Sequence, residues 1–370
     1  MYLTLLKIKN YKLIESAEIS FQRGMNVLVG KNSTGKSTVL EAINFLLSPY
    51  VSIPLADVIP YEKRNVNVSP SVEGYFELSK TEINEFLNTG IEPDVLNDYE
   101  RILADFRLKI TKTIVKRGKS SYTVNTRPDI DFKNHVSPSD SNKANRILNA
   151  MMPKINMNNV IVMPDSDSLA NEQILPEQVL IQSLPMNQML IYQHLRGLFY
   201  TAKQRENGEY TKIQKALQQA SDIKDIDIDF DPVSAQLNIF FQPSNSKYKV
   251  SLNAEGRGIR EYFYLFLALF YFQDTVILKD EALVHMHKSL LTSFLAEISE
   301  QPYQMIVTSH IKELINSLDF GNIIICRKDT NKAEITNLLQ HNDIREVLDE
   351  LGYADKISDN ILEMEKNVFG

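Results

Sequence analysis

Apolar residues along the chain switch between two periods, and each switch marks an element. Leu3, Leu5 and Ile8, then Ile14, Ala17, Ile19 and Phe21, are spaced for two short strands. Asn10, Tyr11 and Lys12 lie at their join, and Gly24 marks the last turn before a third apolar strand at residues 25–29. From Ser37 to about Leu47 the pattern predicts a helix. Alternation returns over residues 66–78, at Val66, Val68, Val72, Tyr75 and Phe76. Thr81 to Leu103 reads as helical, with a break near Gly90 and Pro93.

Residues 106–124 give the clearest hairpin, with its turn at residues 116–119. Its lysines suit a solvated strand face that discourages edge pairing, and they also form the one local basic patch available for phosphate contacts. Residues 136–144 have the composition of a mobile loop. A strand resumes at Ile155 and ends at Met163, before Pro164, Asp165, Ser166 and Asp167. Pro176 to about Ser221 predicts two amphipathic helices, and Asp225 to Phe241 returns to strand alternation. Neither an internal repeat nor a long heptad run is present.

With 370 residues and 43% hydrophobic content, the chain can build two domains or one large α/β domain with an insertion. No apolar stretch reaches the ~20 residues that span a bilayer, and the N-terminus lacks a signal peptide's charged start and long apolar centre. A cytoplasmic protein without membrane contact is expected. The single cysteine, Cys326, lies in an apolar run and reads as a buried structural thiol. A net charge of −7 gives no global pull toward nucleic acid. DNA binding would rest on the hairpin from Lys109 to Lys119, with Lys203 and Arg205.

The most informative chemistry is at residues 30–38. Gly30, Lys31, Asn32, Ser33, Thr34, Gly35, Lys36, Ser37 and Thr38 form a G-x-x-x-x-G-K-S loop between a predicted strand and a predicted helix. Such a loop turns backbone N–H groups toward a polyphosphate at the positive end of the helix. Lys36 is placed to reach the β- and γ-phosphates of ATP, and the Ser37 hydroxyl to ligate Mg²⁺. A second apolar run, residues 276–279, ends in Asp280 and Glu281, the arrangement of a Walker B motif. Asp280 would then hold Mg²⁺ through its water shell, and Glu281 would polarise the attacking water as general base.

Residues 280–287 continue as Asp-Glu-Ala-Leu-Val-His-Met-His, and the strand at residues 305–307 is followed by Thr308, Ser309 and His310. At this point the chain resembles the ATP-binding-cassette ATPases of the SMC, RecF and OLD (overcoming lysogenization defect) group. That group has a D-E-P-E-x-H-x-H segment and a T-T-H or T-S-H switch. Asp280, Glu281, His285 and His287 match the first pattern, and His310 falls on the switch histidine. The opening residues 6–12 look like the group's I-x-N-F/Y-K/R entry. The resemblance implies a P-loop NTPase of α/β class, with an ABC-ATPase-like mixed sheet and a helical and hairpin insertion. It divides the chain into an N-terminal lobe at 1–79, the insertion at 80–222, a C-terminal lobe at 223–340 and a tail at 341–370.

Cassette ATPases complete each site with a signature loop from a second subunit. By that resemblance, residues 251–260 take this place, with Gly256 and Gly258 presenting N–H groups and either Arg257 or Arg260 supplying positive charge. A homodimer or higher homo-oligomer follows. Several positions depart from the pattern: Ala282 and Leu283 replace Pro-Glu, Lys279 interrupts an apolar strand, and the Q-loop glutamine is missing after Met163. Residues 342–352 predict a capped helix, and in OLD-like proteins a similar segment leads into a TOPRIM nuclease. The sequence ends at Gly370, so the resemblance implies either a separate effector protein, such as a TOPRIM nuclease, or a chain cut at the domain boundary.

Overall fold

The computed structural model describes residues 2–48, 55–59, 68–78, 106–117, 121–132, 140–142, 144–145, 160–163, 191–205, 208–220, 223–231, 233, 236–272, 275–298, 303–318, 320–329 and 332–338. It separates into two compact units, Met1–Asn159 with Ile306–Gly370, and Val160–Met305. The first unit begins with β1 (Tyr2–Tyr11), β2 (Ile14–Ser20), β3 (Gly24–Val29), α1 (Lys36–Leu47), β4 (Ser71–Glu77), β5 (Phe106–Arg117) and β6 (Ser121–Phe132). The second holds β7 (Val160–Met163), α2 (Ile191–Arg205), α3 (Glu209–Ala220), β8 (Ile223–Asp231), β9 (Gln236–Pro243), β10 (Val250–Ser251), α4 (Arg257–Tyr271), β11 (Val276–Lys279) and α5 (Lys288–Ile298). The chain returns to the first unit through β12 (Gln304–Thr308), α6 (Lys312–Asn316), β13 (Ile323–Asp329) and β14 (Lys332–Asn337).

In the first unit β2-β1-β4-β5-β6 form one sheet, antiparallel throughout. The β1–β2 turn is tight because Asn10 and Lys12 both adopt positive φ, 53° and 49°. A second sheet orders β14-β13-β3-β12, with β13 antiparallel to β14 and parallel to β3. The Asn337 side chain joins the two sheets, accepting from Ser20 N–H at 2.8 Å and donating to Ser20 C=O at 2.6 Å. α1 packs against β1, β4 and β5 and buries Val39, Ile43, Phe45 and Leu46. Gly74 of β4 allows this approach, since a Cβ there would lie 2.4 Å from Leu46 Cδ2.

Three basic residues of the hairpin, Arg107, Lys109 and Lys112, are committed inside the first unit. β5 is an interior strand, and Lys112 is buried with Nζ donating to Phe45 C=O at 2.8 Å and Ser48 C=O at 2.5 Å. An ammonium thus sits at the negative end of α1, although burial pushes its pKa down to about 8. Lys109 pairs with Glu73 at 3.1 Å and Arg107 with Asp131 at 2.7 Å. The expectation of edge-guarding lysines is therefore corrected. The outer strand of this hairpin is β6, which carries Pro128, a residue edge strands tolerate.

The second unit is built around α4, whose residues 261–269 are all buried. Phe263 meets Phe199 of α2 edge-on at 5.6 Å, and Tyr262 meets Phe294 of α5 at 5.7 Å. β10-β9-β8 form an antiparallel sheet, and β7 pairs in parallel with β11 from Val160↔Val276 to Met163↔Lys279. Side chains of α2 and α3 cover the outer edge of β8. Lys203 donates to Ile228 C=O, Tyr210 and Gln214 to Ile226 C=O, and Gln218 to Lys224 C=O. Lys203 also pairs with Asp227 at 2.7 Å, so it serves this edge.

The stretch 80–222, expected as one insertion, gives its hairpin to the first unit and α2 and α3 to the second. Within the segment expected to be a mobile loop, residues 140–142 and 144 are helical and Ala144 is buried, so apolar packing overrides a loop-like composition there. The helix predicted over 81–103 and the one over 342–352 lie outside the described residues, as does the strand start at 155–159.

Candidate nucleotide-binding site

β3 delivers the chain into the loop at residues 30–35, and α1 begins at Lys36. Three loop residues have positive φ: Gly30 at 153°, Ser33 at 63° and Gly35 at 103°. Gly30 is required by crowding as well as by conformation, because a Cβ would lie 2.1 Å from Cys326 C=O. Lys36 is buried and folds back over the loop, with Nζ donating to Gly30 C=O and Lys31 C=O, each at 2.8 Å. Thr34 Oγ1 donates to Lys31 C=O at 2.8 Å. Lys31, Asn32, Ser33 and Ser37 are exposed, while Thr34, Gly35 and Thr38 are buried. The arrangement is a closed ring of backbone with one ammonium at its centre and one accessible hydroxyl at the helix start. Those groups fit a polyphosphate with its Mg²⁺.

The floor of the loop is apolar. Cys326 is buried as expected, and burial pushes its thiol up to about 12 against the opposing influence of the Lys36 ammonium. Ser309, which follows β12, donates its N–H to Leu28 C=O near the end of β3 at 3.3 Å. The carboxyl ends of the two strands therefore lie side by side. His310, half-buried, follows at the end where the phosphate loop begins, the position at which open α/β sheets bind ligands.

In the second unit, β11 is buried along its whole length and Lys279 is buried with it. Asp280 and Glu281 emerge exposed at its end. Glu281 and Leu283 adopt left-handed backbone, φ 49° and 65°, and Met286 N–H closes the turn onto Leu283 C=O at 3.0 Å. His285 and His287 are exposed, and His287 Nδ1 lies 3.2 Å from Ser289 Oγ at the start of α5.

The glycine-rich segment at residues 251–260 also belongs to the second unit. Leu252–Ala254 form a 3-10 turn capped by the Ser251 hydroxyl, and Gly256 is the N-cap of α4. Gly256 is exposed with open space where a Cβ would stand. Gly258 is buried, and its lack of a side chain has an intramolecular cause: a Cβ would lie 2.3 Å from His285 C=O. Arg257 is exposed and Arg260 half-buried.

Sequence reasoning passed over two residues here. Buried Arg196 of α2 donates to Tyr264 Oη at 2.5 Å, Leu237 C=O at 3.3 Å and Asn253 Oδ1 at 2.9 Å, anchoring the turn before Gly256. Buried Glu261 of α4 accepts from Leu283 N–H at 2.8 Å. The available signal for both is a charge placed on an otherwise apolar helix face, Arg196 beside Leu195 and Phe199, and Glu261 ahead of residues 262–269.

The strand, glycine loop, lysine and helix of the first unit define a P-loop nucleoside triphosphatase, a mixed α/β protein. Residues 1–315 match the AAA ATPase domain family, and the chain belongs to that family. It is an ATP-binding ATPase related to proteins of DNA repair. It is 37% identical over 116 residues to the DNA repair protein RecN of Synechocystis, covering 31% of this chain and 17% of that protein. It is 32% identical over 75 residues to the DNA replication and repair protein RecF of Streptococcus gordonii, covering 20% of this chain and 21% of that protein. The aligned parts thus span about a fifth of these relatives. Among solved structures, an Smc head bound to the C-terminal winged-helix domain of ScpA superposes with a TM-score of 0.56 at 18% identity, covering 93% of this chain and 99% of that one. The Pyrococcus furiosus Smc head with an extended coiled coil gives 0.54 at 16%, covering 95% and 99%. The fold is that of an SMC head. No helix among the described residues is long and apolar enough to cross a membrane.

Proposed function

We propose that this chain is a cytoplasmic, ATP-driven assembly switch. Two copies close around Mg²⁺-ATP, and the nucleotide state controls an effector directed at DNA or at phage. The observation that carries the reading is Lys36 held over a preformed loop beside an exposed Ser37. In this scheme the loop at Gly30–Thr38 binds the phosphates, Ser37 and Asp280 hold Mg²⁺, Glu281 orients the attacking water and His310 senses the γ-phosphate. The second copy adds the loop at Gly256, with Gly258 fixing the helix behind it. The names of the RecN and RecF relatives support a DNA-directed role, and the OLD-like motifs support a separate effector such as a TOPRIM nuclease.

The test mixes two variants. Lys36→Ala removes the phosphate lysine, and Gly256→Glu blocks the signature loop at a position whose φ of −60° and open surroundings accept a side chain. Each is expected to be inactive alone, and their mixture to regain part of the ATPase activity. Subunit exchange without recovery would overturn the shared site.

A second reading, an ATP-bound scaffold that does not hydrolyse, is favoured by buried Ala282 and Leu283 where the resembled family has Pro-Glu. Phosphate release above that of Glu281→Gln removes it.

A further inference from the structure

The turn that carries Glu281 is shaped from outside, by the helix behind the glycine-rich segment. Glu281 and Leu283 occupy left-handed backbone at φ 49° and 65°, a conformation that side-chain-bearing residues keep only when their surroundings impose it. Two contacts from α4 impose it here. The buried Glu261 carboxyl group accepts the Leu283 N–H at 2.8 Å. One turn earlier, Gly258 brings helix backbone against His285 C=O, leaving no room for a Cβ. Leu283 itself is fully buried, so the turn cannot rotate without pulling that side chain out of its packing.

We propose that Glu261 is a positioning residue. Through Leu283 it sets where the Glu281 carboxylate stands, and it fastens the Gly256 loop and the 280–286 turn into a single rigid piece. This rests on the composite-site reading in one respect: engagement of Gly256 by nucleotide on a second copy would then be transmitted within its own subunit to Glu281. The two ATP sites of a dimer become coupled through α4.

Two variants and one measurement on the native chain test it. Glu261→Leu removes the acceptor, and Glu261→Gln retains an oxygen in the same place. In Glu261→Leu, kcat is expected to fall by about 10- to 100-fold while ATP affinity measured by calorimetry stays unchanged, since Lys36 and its loop are untouched. Glu261→Gln should restore most of the rate. A folded Glu261→Leu with native kcat, or a Gln variant as impaired as the Leu variant, overturns the proposal.

Should Glu261→Leu fail to fold, hydrogen exchange of the native chain decides the matter. The Leu283 amide is expected to be strongly protected although its neighbours Glu281 and Val284 are exposed, and rapid exchange there overturns the proposal. This last arm needs neither hydrolysis nor a dimer. Failure of the composite site would show in the mixing experiment, and failure of the positioning role in the Leu283 amide.

Discussion

The phosphate loop and the turn after β11 make an instructive pair. Both present polar groups at the end of a buried strand, and both contain left-handed backbone. The phosphate loop assigns two of its three positive-φ positions to glycine and closes on itself through Lys36 and Thr34. The turn assigns its two to Glu281 and Leu283 and depends on Glu261, 22 residues earlier in sequence. The phosphate loop is thus written locally, whereas the turn is written through a contact with α4, the helix behind Gly256.

If the phosphate loop is self-contained, damage within it should be the most severe. Gly30→Ala places a Cβ on Cys326 C=O at an unfavourable φ and should cost about 4 kcal/mol of stability, read from urea unfolding midpoints. A smaller cost would show that β13 can yield. Lys36→Ala should leave the fold intact, yet weaken ATP binding about 100-fold or more by calorimetry, because the phosphates lose their buried ammonium. Normal affinity would move the site elsewhere.

The glycines ahead of α4 sharpen the contrast. Gly258→Ala should destabilise by about 2 kcal/mol through its contact with His285, whereas Gly256→Ala should stay within about 0.5 kcal/mol. Equal effects would mean that the turn and α4 are not packed as described. A pH-dependent effect concerns the far end of α1. Lys112 titrates near 8 when folded and near 10.5 when unfolded, so between these values the unfolded chain holds more protons and stability rises with pH. From pH 7.5 to 9.5 the rise attributable to Lys112 is about 2 kcal/mol, and Lys112→Met should remove it from the urea midpoints.

The local geometry of the candidate site residues was legible because it rests on neighbours in sequence: Gly30 to Ser37 link a buried strand to a helix, and Asp280 and Glu281 follow a second buried strand. Periodicity likewise located β3, α1 and the β5–β6 hairpin.

Three assignments depended on neighbours distant in sequence. Lys112 has the pattern of a solvated lysine, and only the placement of β5 between β4 and β6 turns it toward the end of α1, more than sixty residues away. Gly258 has the pattern of a ligand-facing glycine, and only the path of residues 285–286 shows that backbone packing requires it. Glu261 has the pattern of a helix-start carboxylate, and only tertiary structure gives it the Leu283 amide. Local conformations and reactive groups follow from neighbouring residues alone, because φ preferences, periodicity and loop chemistry act over a few positions. Tertiary structure decided which charges are buried and which backbone is held under strain, because both depend on what the rest of the chain places beside them.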